Sequence, residues 1–227
     1  MTLTLGIDDA GRGPIIGPML LAGVLVNPAQ ETLLKENEVN DSKQLYHHKR
    51  IKLDKIIKAH SLKTKIVLSK PEEIDNSLNT GTNLNTLEAI KTAEIINEIN
   101  KGKFLKERIK VIVDCPSVNT TAWKNTLMKF IKTSSNLTVL CEHKADENHI
   151  SVSAASILAK VAREEEVGKL KKEFGEIGSG YPSDPTTKLF LKNFGQKYKD
   201  RGIFRKTWST WKKLFPESKK QTTLESF

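Results

Sequence analysis

GIDDAGRGP, residues 6–14, decides how the rest of the chain is read. The stretch LTLGIDD (3–9) alternates, then turns fully apolar, then ends on two acids, which is the pattern of a buried strand that runs out into carboxylates. GRGPIIGP (11–18) is a turn-rich link, and MLLAGVLV (19–26) reads as a second strand. The chain therefore opens on a hairpin with a wide connection, and its first chemistry-bearing groups, Asp8 and Asp9, sit where the first strand gives way to the link.

Outward from this segment, residues 31–48 are polar and read as loop-rich. HHKRIKLDKIIKAH (47–60) has the apolar spacing of an amphipathic helix, TKIVLS (64–69) of a strand, and Pro71 with Glu72 and Glu73 of a helix start. Residues 85–99 predict a stronger helix with Gly102 past its end, and RIKVIVD (108–114) a buried strand closing on an acid. A helix over 120–132 follows, then a strand over 137–146 that again runs out to an acid. Residues 150–174 form a long helix whose first half is small and apolar, and GSGYPSDP (178–185) is a loop. The remainder is read as helical and basic up to Pro216. Strands and helices alternate after the opening hairpin, so the fold class is α/β with a mixed sheet flanked by helices and a C-terminal helical extension. The expected organisation is a catalytic domain over 1–187, a helical region over 188–216 packed on it, and a tail over 217–227.

The 227 residues suffice for one large domain. With 37% hydrophobic and 28% charged residues, and no apolar run near the roughly 20 residues of a membrane span, the expectation is a soluble, cytoplasmic protein without a signal peptide. Cys115 and Cys141 lack a CxxC pattern, which argues against a zinc site and for reduced packing residues. The excess of 37 Lys and Arg over 27 Asp and Glu, a net charge of +10, suits a polyanionic partner but does not by itself identify one.

Four acids share a position type. Asp8, Asp9, Asp114 and Asp146 each lie at or just past the end of a predicted apolar strand. Strand ends at one edge of an α/β sheet converge on a crevice, and several carboxylates there repel one another unless cations lie between them. Hard divalent ions with oxygen ligands, Mg²⁺ or Mn²⁺, answer that need, and two of them can cut a phosphodiester. Singly, each acid also reads as an ordinary turn residue or helix cap. Asp9 is the most exposed to that reading, because consecutive strand residues face opposite ways. Gly11 and Gly13 allow close backbone approach to a ligand, and Arg12 carries a phosphate-matching fork.

GIDDAGRGPIIGPM (6–19) resembles the signature of ribonuclease HII, the type 2 ribonuclease H family, which normally reads G-[IV]-D-E-A-G-R-G-P. The resemblance continues in family order through NDSKQL (40–45), TNLNTLEA (82–89), IVD (112–114), EHKAD (142–146) with VSAASILAKVAR (152–163), and GSGYPSDPTT (178–187). It covers about residues 3–190, and its GRG form points to type 2 rather than type 3. The C-terminus has an archaeal look.

This resemblance implies a ribonuclease H-like fold and a metal-binding catalytic set of Asp8, Asp9, Asp114 and Asp146. It implies two divalent ions, Mg²⁺ or Mn²⁺, at the active site. The implied substrates are RNA–DNA hybrids and single ribonucleotides embedded in duplex DNA. Cleavage falls on the 5′ side of the ribonucleotide, leaving a 3′-hydroxyl and a 5′-phosphate, which serves removal of RNA primers and misincorporated ribonucleotides. One residue departs from the pattern: Asp9 stands where the family has Glu, one methylene shorter, so reach to a metal is in question there.

The resemblance also implies how substrate is read. An enzyme specific for RNA must sense the 2′-hydroxyl, and the backbone of Gly11, Arg12 and Gly13 takes that role. Tyr181 stacks near the ribose at the RNA–DNA junction, its ring offering an apolar face and its hydroxyl a hydrogen bond. Ser42 and Lys43 look like phosphate contacts, and Lys144 and Arg163 are further candidates. Read from the residues alone, the small run 151–156 suits close packing of its helix on the sheet, the better reading for Ala154 and Ala155, while Ser153 and Ser156 could reach a phosphate. His47, His48 and His149 read as surface residues without a role. Lys188, Lys192, Lys197, Arg201, Arg205, Lys206, Lys212 and Lys213 make the C-terminal region basic, which suits a grip on the DNA strand about as well as a solvated face.

QTTLESF (221–227) resembles the short motif that plugs into the sliding clamp (PCNA), with Leu224 and Phe227 on one side of a helical turn and Gln221 making a polar contact. The chain is expected to be a monomer that binds duplex and clamp and no membrane. Two other readings stay open at this point. A junction or transposase-type nuclease of the same fold would share the carboxylates but leave GRG and Tyr181 without work. A nucleic-acid-binding subunit with a degraded site would be signalled by Asp9.

Overall fold

The computed structural model describes residues 2–39 and 46–216. Ser42 and Lys43, and the clamp-motif residues Gln221, Leu224 and Phe227, lie outside the described residues. Five strands form one sheet: β1 (Leu3–Ala10), β2 (Met19–Val26), β3 (Lys63–Ser69), β4 (Ile109–Asp114) and β5 (Leu137–Glu142), in the order β3-β2-β1-β4-β5. β1, β2 and β3 run antiparallel, whereas β4 and β5 join β1 in parallel, giving the mixed sheet expected. The helices are α1 (Pro28–Glu36), α2 (His47–His60), α3 (Pro71–Asn79), α4 (Leu84–Ile99), α5 (Thr120–Met128), α6 (Ala145–Asn148), α7 (Ile150–Phe174), α8 (Pro185–Phe194) and α9 (Ser209–Leu214).

Both faces of the sheet are covered, which is why β2 is apolar at nearly every position and buried along its whole length. One core joins Leu5, Ile7, Leu21 and Val111 to α4 and α5 through Ile95, Ile96, Trp123 and Leu127. The other joins Ala22, Val24 and Val26 to α2 and α7 through Leu53, Ile57, Ala155 and Leu158. The small residues at the start of α7 allow that helix to lie directly on β1. A Cβ on Gly6 would come 2.1 Å from the carbonyl carbon of Ser151, so the strand has no room there for any side chain. This close approach fixes the N-terminal half of α7 against the two residues that follow Gly6 in the site, Asp8 and Asp9.

A third apolar cluster joins the link after β1 (Ile15, Ile16) to Val167 of α7 and to Phe190, Leu191, Ile203, Phe204 and Trp211 of the C-terminal region. The C-terminal region is not continuous helix, as the sequence reading expected. Between α8 and α9 the chain is irregular and pairs back on the link: Phe204 bridges Ile16, and the N–H groups of Gly17 and Arg205 bond the carbonyls of Ile203 and Ile15. Two further differences are local. Residues 28–36, partly read as loop, form α1, closed by a reciprocal bond pair between Asn27 and Gln30 and by Pro28 in the first turn. The strand expected to reach Asp146 stops at Glu142, because Lys144 takes a left-handed backbone (φ +56°) that no strand accommodates, and Asp146 falls on α6.

Candidate active site

The parallel register that sets Ile7 opposite Val113 brings Asp114, the last residue of β4, alongside Asp8. Asp114 accepts a hydrogen bond from the Ala145 N–H at 3.1 Å, which ties the end of β4 to the first turn of α6, where Asp146 is buried. The four acids are thus carried by three elements that meet at the C-terminal edge of the parallel strands.

Asp8 and Asp9 face opposite sides of β1, as consecutive strand residues must. Asp8 is buried toward α7, where the Ser156 hydroxyl bonds its carboxylate and the Asp9 N–H donates to its Oδ1 at 2.7 Å. Asp9 turns toward Glu88 of α4 and Arg12. The separation is not complete, for both acids feel the charge of Asp114. Burial, then the charge of Asp9, hold the Asp8 carboxyl well above the usual carboxylate range. Burial, then the charge of Glu88, push Asp9 up to about 7, against the pull of Arg12 and Lys160. Among the described residues, no three carboxylate, imidazole or thiol groups meet closely enough to enclose an ion as they stand. The donor set is nevertheless that of a hard divalent cation: carboxylate oxygens only, with too much negative charge for so little solvent.

Beside Asp9 lies a cleft of about 220 Å³ lined by Gly11, Arg12, Gly13, Lys160, Arg163 and Tyr181. The fold therefore brings the GRG segment and Tyr181, more than a hundred and sixty residues apart in the chain, to the same wall. Gly11 has φ +82°, and a Cβ there would come 2.7 Å from the Arg163 side chain and 2.8 Å from the Pro18 carbonyl, so only glycine fits. Gly13 lies against the Tyr181 ring, which would be 3.4 Å from a Cβ at that position. The Arg163 guanidinium lies under the Tyr181 ring, 5.0 Å from its centroid, and donates to the Ser179 carbonyl at 2.7 Å. Asp184 closes the same loop: the Ser179 side chain, then the N–H groups of Ser179 (2.6 Å) and Thr186 (2.9 Å), donate to it and pull its carboxyl down to about 2.

Several expected roles change. Arg12 does not hold its fork out to a phosphate. Its Nε bonds both oxygens of Glu88, at 2.8 and 3.0 Å, and a terminal nitrogen bonds Asn85 Oδ1 at 2.6 Å. Ser153 and Ser156 are buried and out of a phosphate's reach, and Ser156 serves Asp8 instead. Arg163 supports Tyr181 and its loop. Lys144 stands exposed at the turn before α6, its ammonium 3.8 Å from Glu147. His149, expected at the surface, is half-buried against Glu142 at 2.9 Å, and His47 contacts Glu164 of α7.

The sequence reading missed Glu88 and Asn85, both inside a quoted block but given no task, and Arg205. Arg205 was grouped with the C-terminal basic residues, yet it is fully buried while its seven companions are exposed. It donates to the carbonyls of Gly11 (2.6 Å), Arg12 (2.7 Å) and Gly17 (3.1 Å). A side chain of that charge inside an apolar cluster is the signal, and it becomes visible only once the cluster is known.

Residues 5–211 match the family described as Ribonuclease HII. The chain is 40% identical over 226 residues to ribonuclease HII of Pyrococcus furiosus, covering 98% of this chain and 96% of that one. Among solved structures, ribonuclease H2 from Pyrococcus horikoshii OT3 superposes with a TM-score of 0.83 at 37% identity, over 93% of this chain and 96% of that chain. An Archaeoglobus fulgidus ribonuclease HII, solved as a complex with PCNA, superposes with a TM-score of 0.78 at 35% identity, over 91% of this chain and 95% of that chain.

Proposed function

Since the chain belongs to the ribonuclease HII family, and is thereby a ribonuclease H nuclease, we propose that it cuts the RNA strand of RNA–DNA hybrids and the 5′ side of single ribonucleotides in duplex DNA, with Asp8, Asp9, Asp114 and Asp146 as its metal-binding catalytic set. The products are a 3′-hydroxyl and a 5′-phosphate. The observation that carries the reading is the shared cleft: the GRG backbone, Tyr181 and Asp9 line it together, and the parallel pairing of β1 with β4 sets Asp114 beside Asp8, the neighbour of Asp9. A ribose reader and a phosphodiester-cutting acid cluster are then neighbours, as cleavage next to a ribonucleotide requires.

The four aspartates fit Mg²⁺ or Mn²⁺ by donor type and by the burial and neighbouring negative charge that lift the carboxyls of Asp8 and Asp9. What such ions supply when bound is activation of a water and stabilisation of the leaving 3′ oxygen. The chain's own groups do the positioning. Ser156 orients the Asp8 carboxylate, and the Ala145 N–H orients that of Asp114. Backbone N–H groups of the GRG segment meet the 2′-hydroxyl, and the Tyr181 ring, backed by Arg163, stacks on the ribose at the junction. Ser42, Lys43 and Lys144 hold neighbouring phosphates, Lys as a point charge.

The basic surface serves the duplex, and the tail residues Gln221, Leu224 and Phe227 serve a sliding clamp, in keeping with the Archaeoglobus relative solved with PCNA. No helix among the described residues is long and apolar enough to cross a membrane. The deciding experiment is incubation of a DNA duplex holding one ribonucleotide with the protein, in Mg²⁺ and in Mn²⁺ separately. A single cut 5′ of the ribonucleotide is expected, and no cut in either ion overturns the reading.

A further inference from the structure

We propose that Arg205 is a positioning residue for ribose recognition: from behind, it holds the Gly11–Gly13 backbone in the orientation that presents its N–H groups to the substrate. The proposal rests on the reading of that backbone as the ribose sensor. Its ground is peptide geometry. A trans peptide carries its C=O and N–H on opposite sides, and no peptide in the described structure is cis. The Gly11 and Arg12 carbonyls both point at the Arg205 guanidinium. The N–H groups of Arg12 and Gly13, which share those two peptides, must therefore point away from it. Arg205 is wholly buried, so away from it is outward, to the side of the loop that borders the cleft with Tyr181.

Arg205 is itself held rigidly. Trp208 stacks on its guanidinium at 4.9 Å and sends its indole N–H to the Gly13 carbonyl at 3.2 Å, so all three GRG carbonyls are taken up by the segment between α8 and α9. That segment is anchored at a distance from the cleft. The Asp75 carboxylate of α3 accepts from the N–H groups of Lys206 (2.7 Å) and Thr207 (3.0 Å) and from the Thr207 hydroxyl (2.6 Å). The bonds from Arg205 run to three different residues through a planar fork, which the single point charge of lysine cannot reproduce. The C-terminal region thus acts as the rear wall of the ribose reader, and Arg205 is withdrawn from the basic surface that grips DNA.

The test separates ribose recognition from DNA affinity. Cleavage of a DNA duplex holding one ribonucleotide is followed in Mg²⁺ with the all-DNA duplex as competitor, giving a KM for the first and an inhibition constant for the second. In the wild type the KM is expected well below the inhibition constant. Arg205→Gln, and to a smaller degree Arg205→Lys, should raise the KM about tenfold, the scale of one lost charge-assisted hydrogen bond, while the inhibition constant stays put. A KM and inhibition constant that rise together would make Arg205 a plain DNA grip and overturn the proposal, and so would a KM that does not move. If the wild type itself shows equal constants, the ribose-reading premise is what fails. If the Arg205 variants do not fold, as circular dichroism will tell, Trp208→Phe decides. It keeps the ring over Arg205 but loses the N–H to Gly13, and a smaller rise in KM alone is expected, an unchanged KM overturning the proposal.

Discussion

Arg12 and Glu88 form a two-point pair, the guanidinium Nε lying 2.8 and 3.0 Å from the two carboxylate oxygens, with Glu88 buried and Arg12 partly open to the cleft. The pair ties the GRG segment to α4 and gives the arginine between the two glycines a partner within the fold. Burial still dominates at Glu88, whose carboxyl is pushed up to about 7 despite Arg12 and Arg205 nearby. Arg12→Ala leaves that carboxylate buried without its hydrogen-bonded partner, and above neutral pH should cost about 2 kcal/mol, below the usual penalty for a fully buried pair because Arg12 is partly solvated and Arg205 remains nearby. The loss should shrink at about pH 5, where Glu88 is neutral, and Arg12→Ala with Glu88→Gln should be more stable than Arg12→Ala alone. Urea unfolding at the two pH values measures all three, and a pH-independent loss would contradict the assignment.

A wider pH dependence follows from the burial of these acids and the negative charge around Asp8 and Asp9. Asp9 is pushed up to about 7, Asp8 well above the usual carboxylate range, and Glu88 up to about 7, so the folded protein holds protons that the unfolded chain releases near pH 4. The sign follows directly: a raised carboxyl contributes stability that is present below the unfolded pKa and lost as pH rises through the folded one. In EDTA the melting temperature should therefore fall between about pH 5 and about pH 8, and Asp9→Asn should flatten part of that fall. Mg²⁺ or Mn²⁺ should raise the melting temperature more at the higher pH, where the carboxylates are ionised. An equal rise at both would argue against ion binding at these acids.

Much of this site could be read before the fold was known, and what could not shares a cause. Asp8, Asp9 and Asp114 were legible because strand patterns are local and an acid at their end stands out. Gly11, Gly13 and Tyr181 were legible through blocks whose order matches the family. Arg205 was not, because in sequence it is one of many basic residues, and only the cluster of Ile15, Ile16 and Phe204 around it makes its burial evident. Asp146 was identified as an acid but put on the wrong element, since nothing in EHKAD announces the left-handed turn at Lys144. α1 was partly passed over although Asn27, Pro28 and Gln30 spell its start, because a helix that buries only Leu34 offers little apolar periodicity.

Asp9 tests how far side-chain reach matters. The family has Glu at this position, and the shorter Asp9 is turned toward Glu88 and Arg12 while still feeling Asp114. One further methylene would bring its carboxylate closer to the other acids or disturb the Arg12–Glu88 pair. Asp9→Glu is expected to keep cleavage of a single-ribonucleotide duplex and to change the ratio of rates in Mg²⁺ and Mn²⁺, because Mg²⁺ demands the stricter geometry. Activity unchanged in both ions would mean that reach at this position is irrelevant.

The last prediction concerns residues 221–227. A short segment that carries Leu224 and Phe227 three apart, with Gln221 three before, can fill one apolar pocket and make one polar contact, and needs no help from the folded body to do so. The candidate cleft is lined by residues 9–13, Lys160, Arg163, Glu164 and Tyr181, with Arg205 and Trp208 behind it, so every lining residue stays in a chain cut after residue 220. The truncated protein should cut short ribonucleotide-containing duplexes at the wild-type rate and lose binding to an archaeal sliding clamp in surface plasmon resonance. Leu224→Ala with Phe227→Ala in the full chain should reproduce the loss, since the apolar contacts carry most of the affinity of such a motif. Clamp binding that survives truncation would place the contact on the folded body, and a parallel loss of cleavage on short duplexes would give the tail a part in substrate binding instead.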